Sequence, residues 1–227
     1  MTEPPISEAV EQFATAIGPE PDDTLREMEA RADATGFPIV GPAVGGWLCQ
    51  LAALVGAERV FEFGSGFGYS AYWFARALPA DGEVVLTEID ADELESAREY
   101  LARGGYVDRV TLEHGDALRT IDRYDGPFDV VLIDNEKNRY VDAFEAVRSK
   151  VPVGGIVVAD NAMAGPFEFG TVRRLVSGET SIEELDDPEL KAAGGLANYL
   201  EHLGSTAAFE TTLLPLGEGL AVSRRRR

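Results

Sequence analysis

Two apolar runs in this chain stop at oxygen-bearing side chains. "FDVVLID" ends at Asp134, and "GGIVVAD" ends at Asp160 with Asn161 directly after it. Neighbouring parallel strands finish side by side at the carboxyl edge of a sheet, so these residues would offer three oxygens to one point. Hard oxygen donors with water completing the shell suit Mg²⁺, or else Ca²⁺ or Mn²⁺, rather than zinc. His114 and His202 are the only histidines and Cys49 the only cysteine, which leaves no closed zinc site. The plainer reading makes Asp134 or Asn135 a helix cap and Asp160–Asn161 the start of a turn. Its recurrence at two successive strand ends favours a shared cation. Lys137 follows Asp134 by three residues and is one of three lysines in the chain. A lysine partly desolvated beside a cation can act as a general base, and otherwise it is a solvated helix residue.

A second cluster lies upstream. "VFEFGSGFGYSAYWFA" puts Gly64, Gly66 and Gly68 between a strand and a helix. Glycines allow a tight turn and close approach of a ligand to the backbone, while the helix start supplies free N–H groups. These glycines fall at every second residue, unlike the G-x-G-x-x-G spacing of a dinucleotide site. Glu62, inside the preceding strand, would repel a pyrophosphate and suits a cationic ligand such as the amino group and sulfonium of S-adenosylmethionine. Glu88 ends the next strand, where a carboxylate accepts both hydroxyls of a ribose. Asp116 and Ala117 fall where an adenine edge would be read. A helix cap at Asp116 and a solvated turn acid at Glu88 are the alternatives; the succession of acids at strand ends favours the joint site.

The elements that must hold these residues alternate regularly. Strand-like runs occur at 59–63, 83–89, 109–113, 128–134 and 154–160, with helical patterns at 69–78, 91–103, 116–122 and 138–150 between them. That order predicts a parallel sheet covered on both faces by right-handed crossovers. Helices are expected before it at 6–17, at 22–35 with Asp22 or Asp23 as cap, and from about 42 to 54. "FETTLLPL" and "GLAVSRR", joined by "GEG", read as an antiparallel hairpin. The whole chain, 1–227, is expected to be one doubly wound α/β domain, with a helical cap over 1–41 and a polar surface excursion at 163–195.

Composition narrows the partners. The chain carries 40 acidic against 20 basic residues, a formal charge of −20, which repels nucleic acid and anionic membranes. Acid-rich and lysine-poor, the surface reads as adapted to concentrated salt, where screening is strong. The closing "SRRRR" is taken as a solubilising tail. No run is long enough to span a membrane and "MTEPPISEAVEQ" lacks a signal-peptide layout, so a cytoplasmic location is expected.

Together "FEFGSGFGYSA", "TEID", "GDAL", "DVVLIDNEKNRY", "GGIVVADN" and "LLPLGEGLAVSR" resemble the cation-dependent O-methyltransferases of the caffeoyl-CoA and catechol type. The likeness covers about residues 25–160 and 196–224. It implies a Rossmann-like seven-stranded sheet with an antiparallel last hairpin, S-adenosylmethionine as donor, one Mg²⁺ and a homodimer. It puts Glu62, Gly64, Ser65 and Ser70 around the methionine end of the donor, Glu88 on the ribose and Ala117 beside adenine. Glu136 and Val40 match further donor contacts, Asp134, Asp160 and Asn161 the metal ligands, and Lys137 the lysine of a D-x-x-K segment. The segment "DNAMAGPFEFG" departs from the family, which usually continues "DN" with an aromatic residue and another asparagine, so the phenylpropanoid-CoA contacts do not transfer. The activity implied is methyl transfer to a small hydroxylated aromatic. The rivals are a metal-independent methyltransferase, a non-catalytic S-adenosylmethionine-binding module and an NAD-dependent dehydrogenase.

Overall fold

The structure is a computed structural model that describes residues 6–182 and 188–227, so parts of the expected cap and excursion lie outside the described residues. Helices α1 (Glu8–Ile17), α2 (Asp23–Thr35) and α3 (Gly41–Val55) precede the first strand. Asp22 caps α2 as expected, its side chain accepting the Leu25 N–H at 3.0 Å. The alternating units follow: β1 (Arg59–Phe63), α4 (Tyr69–Ala77), β2 (Glu83–Glu88), α5 (Ala91–Arg103), β3 (Val110–His114), α6 (Ala117–Thr120), β4 (Val130–Ile133), α7 (Tyr140–Val147) and β5 (Ile156–Ala159). Helices α8 (Phe169–Val176) and α9 (Pro188–Ser205) lead into the hairpin β6 (Phe209–Leu214) and β7 (Leu220–Arg225).

Seven strands form one sheet in the order β3-β2-β1-β4-β5-β7-β6, parallel except for β7, which runs antiparallel to both β5 and β6. Alternate residues of each strand face opposite sides. Val60, Val84, Leu86, Val130, Leu132, Ile156 and Val158 pack under α2–α5, while Phe61, Phe63, Val131, Ile133 and Val157 pack under α6–α9. Both faces are covered, which explains the continuous apolar strands; each such side chain contributes roughly 1.5–3 kcal/mol. Among the described residues no helix is long and apolar enough to cross a membrane.

Three expectations need correction. The segment 163–195 is not a mere surface excursion: Thr171, Val172 and Ala193 are buried, and α9 continues inward with Leu196, Tyr199 and Leu203 in the core. Polar composition hid this, because only one stripe of α9 is apolar. Helix α6 is shorter than 116–122 and gives way to a 3₁₀ turn at Ile121–Arg123. Helix α7 is shorter than 138–150, and a 3₁₀ turn, Lys137–Arg139, precedes it.

Candidate active site

Adjacent strands β2, β1, β4 and β5 end along one edge, and the loops leaving them line a cavity of about 1000 Å³. A smaller cavity of about 210 Å³ adjoins it and shares Gly64, Glu88, Asp134, Asn135 and Glu136. Val40, Ser65, Ser70, Lys137, Asp160 and Asn161 line the larger one as well, and Asp116 and Ala117 the smaller. Glu62 and Gly68 line neither cavity.

The glycine loop is shaped by close approach. Gly64 has φ 80°, and a Cβ there would stand 2.6 Å from the Asp134 carbonyl oxygen, so only glycine lets the β1 and β4 loops meet. Ser65 N–H donates to the Thr87 carbonyl at 3.1 Å, and Gly66 N–H to Glu88 Oε2 at 2.8 Å. Glu88 Oε1 accepts the N–H groups of Ile89 and Asp90 at 2.7 and 2.9 Å. Glu88 is thus clamped by backbone and keeps its remaining acceptor capacity for the cleft.

Beneath this loop Glu62 is completely buried, and its carboxylate has no hydrogen-bonding neighbour beyond the Ser70 hydroxyl. Burial pushes its carboxyl up to about 8; the nearby Ser70 hydroxyl opposes the rise and Asp134 adds to it. A buried carboxyl with so little hydrogen bonding would be stabilised in its ionised form by a cationic group settling nearby. Asp116 takes the capping role weighed as the alternative: Oδ1 accepts the Leu118 N–H at 2.9 Å. Its carboxylate also pairs with Arg139 at 2.9 and 3.1 Å, which holds it below the usual carboxylate range. Glu136 is exposed and reaches Arg139 at 3.4 Å.

The second cluster converges on Lys137. Its Nζ donates to Asp134 Oδ1 at 3.1 Å, to the Tyr140 hydroxyl at 2.6 Å and to Asn161 Oδ1 at 2.5 Å. Tyr140 in turn donates to the Asp160 carbonyl at 3.1 Å. Asp160 is buried and its Oδ1 has no partner. Burial raises the carboxyls of Asp134 and Asp160, each opposed by Lys137, and Asp134 raises Asp160 further. Among the described residues no three His, Cys, Asp or Glu side chains are grouped to hold a metal, so the two carboxylates need a further oxygen donor, which the Asn161 amide can offer. Two carboxylates, one of them with a buried unpartnered oxygen, and an amide oxygen fit a hard divalent cation.

Sequence reasoning missed several neighbours. Tyr140 is wholly buried and sits three residues from Lys137, a spacing that pointed to it in "KNRY". Glu218, in the "GEG" turn of the hairpin, accepts the Asn161 Nδ2–H in a very short contact and lines the cavity. Burial raises its carboxyl, Lys137 opposes this, and Asp134 adds to it. Two glycines around one acid marked a turn, and nothing local showed that the turn folds over β5. Lys191 and Ala192 of α9 reach the cavity wall as well. On the same helix Gly195 lies against the lysine turn, where a Cβ would meet Lys137 O and Asn138 Cα at 2.6 Å.

A family model described as O-methyltransferase matches residues 20–226. A catechol O-methyltransferase of Niastella koreensis is 30% identical over 219 residues, covering 93% of this chain and 91% of that protein. Another from Mycobacterium tuberculosis is 35% identical over 155 residues, 67% of this chain and 70% of that one. Among solved structures, the O-methyltransferase TomG from Streptomyces achromogenes, involved in tomaymycin synthesis and in complex with SAM, superposes with a TM-score of 0.81 at 26% identity, covering all of both chains. The O-methyltransferase from Bacillus cereus in complex with SAH gives 0.81 at 25% identity, over 96% of this chain and 97% of that one.

Proposed function

The chain belongs to the O-methyltransferase family, and from that premise we propose that it moves the methyl group of S-adenosylmethionine to an oxygen of a small, catechol-like aromatic acceptor with the help of a divalent cation. The observation that carries this reading is the meeting of Lys137 with Asp134 and Asn161, beside the unpartnered Asp160 oxygen, in the cavity that the glycine loop also lines.

Each half of the cavity has a role. The cationic end of the donor lies over Glu62 and Ser70, and the ribose hydroxyls reach Glu88. The adenine edge lies along Ala117, where Asp116 keeps one lone-pair position beyond those given to Leu118 and Arg139. Asp134, Asp160 and Asn161 hold the cation, which supplies the positive charge that favours ionisation of an acceptor hydroxyl. Lys137 Nζ accepts or steers the departing hydroxyl proton, and Tyr140 fixes its position through the 2.6 Å contact. The acceptor oxygen attacks the sulfonium methyl as the methyl–sulfur bond breaks, giving a methyl ether, S-adenosylhomocysteine and one proton. Orientation within the cavity supplies up to about 7–11 kcal/mol toward the barrier. Opposite charges cancel as the step proceeds, so a site that sheds water favours it.

The homodimer implied by the resemblance is part of the same proposal, and light scattering tests it. The activity itself is tested by incubating the protein with S-adenosylmethionine and a panel of catechols, with Mg²⁺ and with EDTA. Methylated product should form only with Mg²⁺. Lys137→Ala should lower turnover about 100-fold or more while S-adenosylmethionine affinity stays within about threefold. Full turnover in EDTA would assign a metal-independent mechanism, and donor binding without turnover on any hydroxylated acceptor would leave a binding module.

A further inference from the structure

We infer that Glu218 is a positioning residue whose task is to fix which end of the Asn161 carboxamide faces the cation. The inference rests on the divalent-cation reading above. An asparagine side chain has a carbonyl end and an amide end of nearly the same shape, and its neighbours choose between them. Here Nδ2 donates to Glu218 Oε2, a contact that the Asn161 oxygen could not make in its place, and Oδ1 is left toward Lys137. Turned over, Asn161 would set its oxygen against the Glu218 carboxylate and its N–H groups against the Lys137 ammonium. Both contacts would become repulsive.

Glu218 is itself held by the chain that follows Asn161. Its backbone carbonyl accepts the N–H groups of Met163 and Ala164 at 2.8 and 2.9 Å, and the Gly219 carbonyl accepts Ala162 N–H at 2.8 Å. The hairpin turn is therefore stitched to the loop after β5, and its acid travels with the ligand it orients. Asn161 has φ 57°, the one positive φ outside glycine among the described residues. Asparagine tolerates that conformation better than most residues, and the outward contact to Glu218 gives its side chain a fixed direction.

Titration of the full-length protein with Mn²⁺, in the presence of S-adenosylhomocysteine and read by calorimetry or electron paramagnetic resonance, tests the assignment. Glu218→Ala should weaken Mn²⁺ binding about 10- to 100-fold with S-adenosylhomocysteine affinity unchanged. Glu218→Gln, whose Oε1 accepts the same N–H, should stay within about threefold of wild type. Asn161→Asp added to Glu218→Ala should restore affinity, because a carboxylate has no wrong end. Unchanged Mn²⁺ affinity in Glu218→Ala overturns the inference. Equal losses in Glu218→Ala and Glu218→Gln also overturn it, since Glu218 would then act through its charge or as a ligand. Wild-type protein that binds no Mn²⁺ overturns the cation reading itself and this inference with it. If Glu218→Ala also loses S-adenosylhomocysteine, Glu218→Gln decides alone: near-wild-type Mn²⁺ affinity supports the role and a tenfold loss refutes it.

Discussion

Replacing Glu62 by glutamine should stabilise the ligand-free protein and at the same time weaken its hold on S-adenosylmethionine. The carboxyl is fully buried, and burial raises it from 4.5 to about 8. The folded chain therefore binds this proton more tightly than the unfolded chain does. Stability from this group is whole below about pH 4.5 and falls as pH rises toward about 8. At roughly 1.4 kcal/mol per tenfold in proton affinity, the loss by pH 8 is on the order of 5 kcal/mol. An unpaired amide in the same place costs about 1–3 kcal/mol. The variant should then gain about 2 kcal/mol or more at pH 8, a rise of about 4–8 °C in Tm, and gain nothing at pH 4. Donor binding carries the second readout. At pH 7 a carboxyl with a pKa near 8 is about nine-tenths protonated, and a cationic group settling above it favours the ionised form. Binding should thus release close to one proton in the wild type and none in Glu62→Gln. Calorimetry in EDTA-containing phosphate and Tris buffers reads this directly, because the two buffers take up a proton with different heats. Identical binding heats in both buffers, or a glutamine variant that binds the donor as well as wild type, would refute the reasoning.

Gly195→Ala should slow turnover about tenfold or more with donor affinity within about threefold, because its Cβ would press on the Lys137 turn at 2.6 Å. The neighbouring Gly194→Ala, whose Cβ would have Ile182 as its nearest neighbour at ordinary distances of 3.4–3.6 Å, should be nearly neutral in steady-state kinetics. Thermal unfolding should shift upward between dilute buffer and molar KCl, because a net charge of −20 repels itself less when the Debye length shrinks to about 3 Å; a Tm that is highest in dilute buffer would remove the salt-adaptation reading.

The parallel sheet and its hairpin were legible because strands buried on both faces write themselves as unbroken apolar runs. "VVLI" and "IVVA" need no partner to be recognised. The same logic found the strand-end acids, since an aspartate closing such a run stands out. Glu62 was legible for the opposite reason: a charge inside an apolar strand has to be explained by something nearby. What the sequence left hidden depends on separations in the chain that no local pattern records. Glu218 is 57 residues from the Asn161 it touches. Gly195 meets a turn just as far away in the chain, through a helix whose polar face disguised its buried one.

Those hidden contacts share a direction. Strands β4 and β5 bring Asp134 and Asp160 to one edge, but a sheet edge alone does not aim a side chain. Lys137 is aimed by Tyr140 and by the close packing of α9 at Gly195, and Asn161 by the hairpin acid. Helix α9 and the hairpin both come from the last part of the chain, after the alternating units are complete. The first 161 residues thus supply the groups that can bind and react, while the remainder limits which way they point. A change in acceptor preference is therefore better sought in α9 and the β6–β7 turn than in the glycine loop, because substitutions there leave Glu62 and Glu88 untouched.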